Sequence, residues 1–317
     1  MDLLWPILLG LLFAGYFVVD GFDIGAGLLL RRLGGGEYER RAVLTSIGPF
    51  FLGNEVWLVA VGGVLAGAFP VMKDHLLGGL YLLIVAGLLI WVVRDAAIWF
   101  RSRRPSPRWR AGWDAMLGAS SGVFAVFWGL LVGALLTGPP PLTDRWLVAG
   151  INAAVWAVVM VLLFTTHGAV FLAARLPADL AARAVATATR LSRPAAGLLA
   201  LASLAQLAVP GPGGIATTAA VVLLGLLAAA ALWAAPAALA KSRYGAAVAL
   251  TSTAAAVPAV LASLRLAGGL TDVTADPATL GVLSGFLVVL VPVLAAMQAW
   301  MWWTFRRRVH SGTVVFF

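Results

Sequence analysis

Nine long apolar runs, separated by short connections that are alternately rich and poor in arginine, leave this chain few ways to fold. Uninterrupted apolar runs of this length are stable as helices across a bilayer, where every backbone N–H and C=O must be satisfied within the segment. The runs lie at about 4–30, 45–70, 76–100, 111–137, 146–174, 194–210, 215–240, 246–267 and 278–305. The sixth is the shortest and is bounded by Pro194 and by Pro210-Gly-Pro-Gly-Gly214. Hydrophobic residues make up 62% of the 317 and charged residues only 11%, with a mean hydropathy of +0.98, which excludes a soluble domain. The expected fold is all-α and polytopic, a single integral-membrane unit over 1–317 with no extramembrane domain. The first run starts almost at once, after Asp2, and is too long for the h-region of a cleaved signal peptide.

The connections set the orientation. Arg31, Arg32, Arg40 and Arg41 follow the first run, and Arg101, Arg103, Arg104, Arg108 and Arg110 the third. Arg175, Arg183, Arg190 and Arg193 follow the fifth, Lys241 and Arg243 the seventh, and Arg306, Arg307 and Arg308 the ninth. That accounts for 18 of the 22 Lys and Arg, whereas the alternate connections hold only Lys73 and Arg145. The positive-inside rule then predicts nine crossings with the N-terminus outside and the C-terminus in the cytoplasm. The net charge of +9 is thereby read as topology, and nucleic acid is not an expected partner. Trp300, Trp302, Trp303 and Phe305 precede the last arginines as an interfacial aromatic belt would. Cysteine is absent, which removes disulfides, thiolate haem ligation and iron–sulfur ligation together.

Charge inside the runs is the second constraint. Asp20 and Asp23 stand three residues apart in Asp20-Gly-Phe-Asp-Ile-Gly-Ala-Gly27, on one helix face, beside a small-xxx-small pair of Gly21 and Gly25 that admits a close neighbour. A carboxylate facing lipid at mid-bilayer costs about 2.5–3.5 kcal/mol on insertion scales, so this face is expected to turn inward. Glu55 lies in Gly53-Asn-Glu-Val-Trp57, with Asn54 and Trp57 at its sides. Arg94 and Asp95 lie near the inner end of the third run, Asp114 begins the fourth before Ser120 and Ser121, and His167 sits in Thr165-Thr-His-Gly168. All fall in the cytoplasmic half by this topology. As a set they suggest a hydrated half-channel with Asp20, Asp23, Glu55, Asp114 and His167 as protonatable links, and Arg94, with Asp95 or Asp23 as its counter-ion, as the charge partner. The blander reading is a glycine-rich packing seam whose acids only hydrogen-bond neighbouring helices. No phosphate-binding loop, HExxH or CxxC occurs, and no metal site is expected. His167 is alone inside a run, so bis-His haem ligation within this chain is not expected.

At these residues the chain resembles subunit II of the cytochrome bd-type quinol oxidases. The shared elements are Asp20-Gly-Phe-Asp-Ile-Gly25, Ser46-Ile-Gly-Pro49, Gly53-Asn-Glu-Val-Trp-Leu58, Phe69-Pro70, Arg94, Phe100-Arg101, Trp109-Arg110, Trp113-Asp114, Ser120 with Ser121, and Thr166-His-Gly168 leading to Arg175. Pro292, Trp300 and Phe305-Arg306 continue the likeness, whereas 195–275 match in hydropathy alone. The resemblance implies two four-helix bundles plus one peripheral helix, in a prokaryotic cell membrane. It implies a haem-free subunit, not catalytic by itself, beside a homologous subunit I that carries haem b and haem d type groups. Such a complex oxidises quinol from the membrane pool and reduces dioxygen to water with protons drawn from the cytoplasm. Some relatives hold a structural quinone, and small accessory subunits are compatible with the pattern.

One departure stands out. Much of the family has Trp-Asp before Gly-Asn, the Asp being assigned to the proton path, where this chain has Phe51 and Leu52. Leucine cannot carry a proton, and Glu55, three residues on and near the same helix face, is the substitute expected here. Two other function classes fit the buried acids. An ion-coupled secondary transporter would need a second broken span, for which Pro258 and Pro292 are the candidates. A purely structural membrane scaffold would tolerate neutral replacements at Asp20, Asp23 and Glu55.

Overall fold

The structure is a computed structural model that describes residues 4–138, 146–209, 211–271 and 273–310. Asp2, Arg145 and Pro210 lie outside the described residues. Twelve helices follow in order: α1 (Leu4–Val19), α2 (Gly21–Leu33), α3 (Glu37–Ile47), α4 (Phe51–Ala68), α5 (Pro70–Gly79), α6 (Tyr81–Arg101), α7 (Pro107–Thr137), α8 (Trp146–Arg175), α9 (Ala178–Ala205), α10 (Ile215–Ala240), α11 (Tyr244–Thr271) and α12 (Pro277–Thr304). No strand occurs among the described residues. Eight helical segments there are long and apolar enough to cross a membrane, α1 and α2 together forming the first.

The later helices fall within a few residues of the expected runs, whereas the first, second, third and sixth runs differ. The third differs because its start belongs to α5, which ends before Leu80, and its remainder to α6. The first run is one helix with a local irregularity: the Asp20 amide still donates to the Tyr16 carbonyl at 2.8 Å, and its own carbonyl accepts from the Ile24 amide at 2.9 Å. The second run breaks at Gly48-Pro49-Phe50, where Pro49 has no N–H to continue the helical ladder although Gly48 itself keeps the α conformation. A short helix, α3, is thereby set off from α4. The sixth run does not begin at Pro194, which sits inside the 28-residue α9. Pro removes one backbone hydrogen bond there without ending the helix, as neighbouring helices allow in membrane segments. α9 is not among the eight apolar spans because Asp179, Arg183, Arg190 and Arg193 occupy its first half.

Helix ends follow local chemistry. Ser106 caps α7 through its hydroxyl, with Pro107 in the first turn, and Asp276 caps α12 by accepting from the amides of Ala278 and Thr279, both at 3.0 Å. The packing runs α1/α2, α4, α6 and α7 around one core and α8 to α11 beside it, joined where α1 meets α11 and α2 and α7 meet α8. α12 packs chiefly on α4, meets Phe22 of α2 and Phe171 of α8 through Trp302, and leaves most of its surface open.

Small residues set the close crossings. Gly129 and Gly133 of α7, four apart, meet Ala157 and Ala153 of α8, and a methyl on Gly133 would lie 2.5 Å from the Ala153 Cα. Gly25 of α2 and Gly168 of α8 interlock in the same way, a methyl on Gly168 falling 2.6 Å from the Gly25 Cα. Gly133→Val is expected to lower stability by about 1–3 kcal/mol through overpacking. The midpoint of thermal unfolding in mild detergent reads this, and an unchanged midpoint would mean that the crossing is looser than described.

The arginine-bearing connections meet at one end of the molecule. Arg101 and Arg110 reach Glu37 at 2.8 and 3.0 Å, Arg183 reaches Glu39 at 3.0 Å, and Arg308 donates to the Leu176 carbonyl at 2.9 Å and lies over the Tyr244 ring. Segments following the first, third, fifth, seventh and ninth expected runs are thus neighbours in space. The connections at the opposite end also meet, the Ala275 amide donating to the Ala68 carbonyl at 2.8 Å.

Candidate functional site

The site is a buried charge cluster assembled from α1, α2, α4 and α6. Asp20 and Arg94 are both fully buried and form a two-pronged pair: Nη2 donates to Oδ1 at 2.7 Å and Nη1 to Oδ2 at 3.2 Å. Tyr16, one turn before Asp20, donates its hydroxyl to Oδ2 at 2.7 Å. Parallel donation from a planar guanidinium is the strong geometry for a carboxylate, and pairing is what makes a buried charge tolerable. The counter-ion of Arg94 is therefore Asp20 and not the expected Asp95 or Asp23. Asp95 follows Arg94 directly in α6, so the helical turn of about 100° aims it elsewhere.

Glu55 sits at the edge of this cluster. Its Oε1 accepts from the Trp91 indole N–H at 2.9 Å and lies 3.8 Å from Arg94 Nη1, so one guanidinium serves two acids. Asp95, one turn after Trp91, lies within reach of the Glu55 carboxyl, and its buried Oδ1 finds no donor. Asp23 is tied to α4, where Asn54 Nδ2 donates both to its Oδ2 at 2.7 Å and to the Val19 carbonyl at 2.8 Å. The other Asp23 oxygen is buried without a hydrogen-bond partner. Gln298 of α12 completes the amide chain, donating to Asn54 Oδ1 at 2.9 Å and accepting from the Trp57 indole at 3.3 Å.

Two expected members stand apart. His167 has both ring nitrogens engaged, Nδ1 with Thr251 Oγ1 and Nε2 with the Val18 carbonyl, each at 2.9 Å. Asp114 is held at the arginine-rich end by Arg101 and, at 3.0 Å, by Arg40. Among the described residues no hydrogen bond or ion pair joins either one to Asp20, Asp23 or Glu55. Leu52, in the position where an Asp was noted as missing, is half exposed on the outer side of α4. Sequence reading missed Tyr16, Trp91, Gln298 and Thr251. A tyrosine four residues before Asp20 and a lone amide in the last run were the available signals.

Glu37 is the hub of the surface network at that end. Burial acts to raise its carboxyl, but hydrogen bonds from Arg41 and Arg101 outweigh this and hold it below its ordinary value of 4.5. A depressed carboxyl contributes stability that is full above the unfolded value and is lost as pH falls through the folded one. Because Glu37 is 39% exposed, that contribution is expected to be no more than about 1 kcal/mol. The thermal midpoint of Glu37→Gln should therefore fall below wild type at pH 7 and converge with it toward pH 3. A gap that widens on acidification would contradict the assignment.

An apolar cavity of about 380 Å³ opens between α1, α4, α6, α7 and α11, lined by Phe13, Trp91, Phe124, Phe127 and Trp128 among others, with Lys73 at its rim. Trp91, whose indole N–H meets Glu55, is part of its wall. Among the described residues no group of three or more His, Cys, Asp or Glu could hold a metal ion.

Comparison with known proteins bears on the same residues. The chain is 34% identical over 198 residues to cytochrome bd-I ubiquinol oxidase subunit 2 of Escherichia coli strain K12, covering 58% of this chain and 52% of that protein. It is 35% identical over 187 residues to cytochrome bd ubiquinol oxidase subunit 2 of Bacillus subtilis strain 168, covering 57% and 55%. A probable cytochrome oxidase subunit 2 of Haemophilus influenzae is 36% identical over 137 residues, covering 43% and 36%. The chain spans about half the length of the first two curated relatives it matches. The family described as cytochrome bd terminal oxidase subunit II, by contrast, matches residues 1–305. With that match running through every element of the buried cluster, from Tyr16 to Gln298, the chain belongs to the cytochrome bd terminal oxidase subunit II family.

Proposed function

We propose that this chain is the haem-free second subunit of a quinol:dioxygen oxidoreductase in a prokaryotic cell membrane, and that its buried carboxyls take part in proton uptake from the cytoplasm. The observation that carries the reading is the Asp20–Arg94–Glu55 cluster, three charged groups brought from three helices into the interior of a membrane bundle. Intramembrane charges are costly, and a route for protons is the chemistry that best accounts for keeping them. Glu55 is the mobile-proton candidate because Arg94 is already committed to Asp20 and a carboxyl, unlike Leu52, can gain and lose a proton. The donorless oxygens of Asp23 and Asp95 are where a proton or a bridging water is accommodated.

The haems belong to the partner in this reading. His167 does not suit an axial ligand, since both of its ring nitrogens are bonded within the chain. Subunit I docks on the open faces of α4, α6 and α12. Asp95 is partly exposed there, and a protein surface covers an intramembrane carboxyl far better than lipid does. Nine crossings, with α9 as the sixth and the arginine-rich end in the cytoplasm, follow from the positive-inside rule. The apolar cavity has the size and lining for a quinone ring or an isoprenoid tail.

The transporter alternative loses its main support because α11 and α12 run unbroken through Pro258 and Pro292. Affinity purification of the tagged chain from its own membrane tests the reading. A co-purifying haem spectrum with quinol-dependent oxygen consumption is expected, and a colourless protein without such a partner would overturn it.

A further inference from the structure

Arg94 cannot neutralise all the acids gathered around it. Four carboxyls, those of Asp20, Asp23, Glu55 and Asp95, surround this guanidinium, and both of its prongs are committed to Asp20. Among the described residues Arg94 is the cation that ion-pairs with any of the four. Glu55 and Asp95 stand within hydrogen-bond reach of each other. Two ionised carboxylates are acceptors only, so that contact requires a proton on one of them, and like charges sharing a buried site do not both ionise.

The placement of the pair gives that proton a direction. Trp91 and Asp95 are one turn apart on α6 and both meet Glu55, with Trp91 donating to Oε1 at 2.9 Å. Glu55 is 7% exposed and has Arg94 Nη1 at 3.8 Å, whereas Asp95 is only half-buried. The pair therefore runs from the charge cluster to the surface. Val92 and Trp99, three residues before Asp95 and four after it, lie on the same face of α6 and are exposed, as are Leu52, Val56 and Val59 of α4. Asp95 is thus a carboxyl set in an apolar stripe, on the face where subunit I is proposed to dock. Its Oδ1 is buried without a donor, and so is that of Asp23, which is 1% exposed and is tied through Asn54 to the residue next to Glu55. An acceptor stands open on each side of Glu55.

We propose that Glu55 and Asp95 share one resident proton, and that Asp95 is the relay residue that hands it to a proton-accepting side chain of subunit I. In the internal step the Glu55 O–H bond breaks as the Asp95 O–H bond forms, and the pair keeps a single negative charge beside Arg94. Release to the partner leaves two negative charges on the pair, which draws the next proton onto Glu55 from the arginine-rich side. This inference rests on the oxidase reading, whose oxygen reduction is the final sink for the proton.

Substitutions at Asp95 in the assembled complex test it. Asp95→Asn keeps the shape and loses the proton site, and should slow quinol-driven oxygen consumption by about 10²-fold with the haem spectrum unchanged. Asp95→Glu keeps a carboxyl and should run about ten-fold faster than Asp95→Asn. A residue needed only for hydrogen bonding or packing would give the reverse order, which would overturn the relay. Loss of haem in Asp95→Asn would assign Asp95 to assembly and overturn it as well. Infrared spectroscopy reads the shared proton directly: a protonated-carboxyl band should vanish in Glu55→Gln and shift in Asp95→Asn. A band that does not move in Asp95→Asn would overturn the pair. Slow turnover in Glu55→Gln with wild-type turnover in Asp95→Asn would sink the relay and leave the oxidase reading standing, whereas a wild-type assembly without haem or oxygen consumption would sink both.

Discussion

Arg94→Gln should leave little folded protein. The substitution strands the Asp20 carboxylate in the bundle interior with Tyr16 as its remaining donor, and it removes the cation that, among the described residues, pairs with Glu55. Breaking a buried ion pair from one side costs about 3–5 kcal/mol, a large part of the roughly 5–15 kcal/mol that holds a typical domain folded. The thermal midpoint and the yield after detergent extraction should both collapse. Adding Asp20→Asn should restore part of the loss, because two neutral amides replace an orphaned charge. That recovery separates an electrostatic cause from a packing one. A single Arg94→Gln variant as stable as wild type would show that the pair is not what anchors α1, α2 and α6 together.

Glu55→Gln addresses function with little structural cost. Glutamine keeps the oxygen that accepts from Trp91 and the size of the side chain, so α4 and α6 should stay in place. It cannot carry a proton. Loss of a positioned proton-transfer group slows a reaction by about 10²–10⁴-fold, and a slowing of quinol-driven oxygen consumption toward the lower end of that range is expected in the assembled complex. The haem spectrum should be unchanged, which distinguishes a slowed proton from a failed assembly. Turnover at the wild-type rate would remove Glu55 from the path and favour the scaffold reading.

Much of this architecture was legible in the chain because bilayer physics is unforgiving. Hydropathy alone located the long helices, and the alternating arginines foretold which connections would meet, as Arg101, Arg183 and Arg308 do around one end. Asp20, Asp23 and Glu55 announced themselves by being charged where charge is expensive. Pairing was not legible. Asp20 and Arg94 are 74 residues apart, and which of two acids a guanidinium meets depends on helix rotation, set by glycine contacts such as Gly25 with Gly168 that hydropathy does not resolve. The same limit hid Trp91 and Gln298, whose side chains are ordinary in a membrane helix until a carboxyl or an amide is placed beside them. Pro194 misled because proline was read as a terminator, whereas packed membrane helices absorb it. The buried Arg265 of α11 carried no sequence signal beyond its charge, since its neutral partners, Thr218 in the first turn of α10 and Pro212 in the glycine-rich turn before it, lie 47 and 53 residues earlier.

The central claim is that the buried cluster delivers protons from the arginine-rich side of the membrane. The most direct measurement is proton uptake during a single turnover, with the fully reduced complex in sealed vesicles of known orientation mixed with oxygen and a pH indicator confined to one side. Uptake from the arginine-rich side, delayed in Glu55→Gln together with oxygen reduction, is the predicted result. Uptake from the opposite side, or at an unchanged rate in Glu55→Gln, would contradict it.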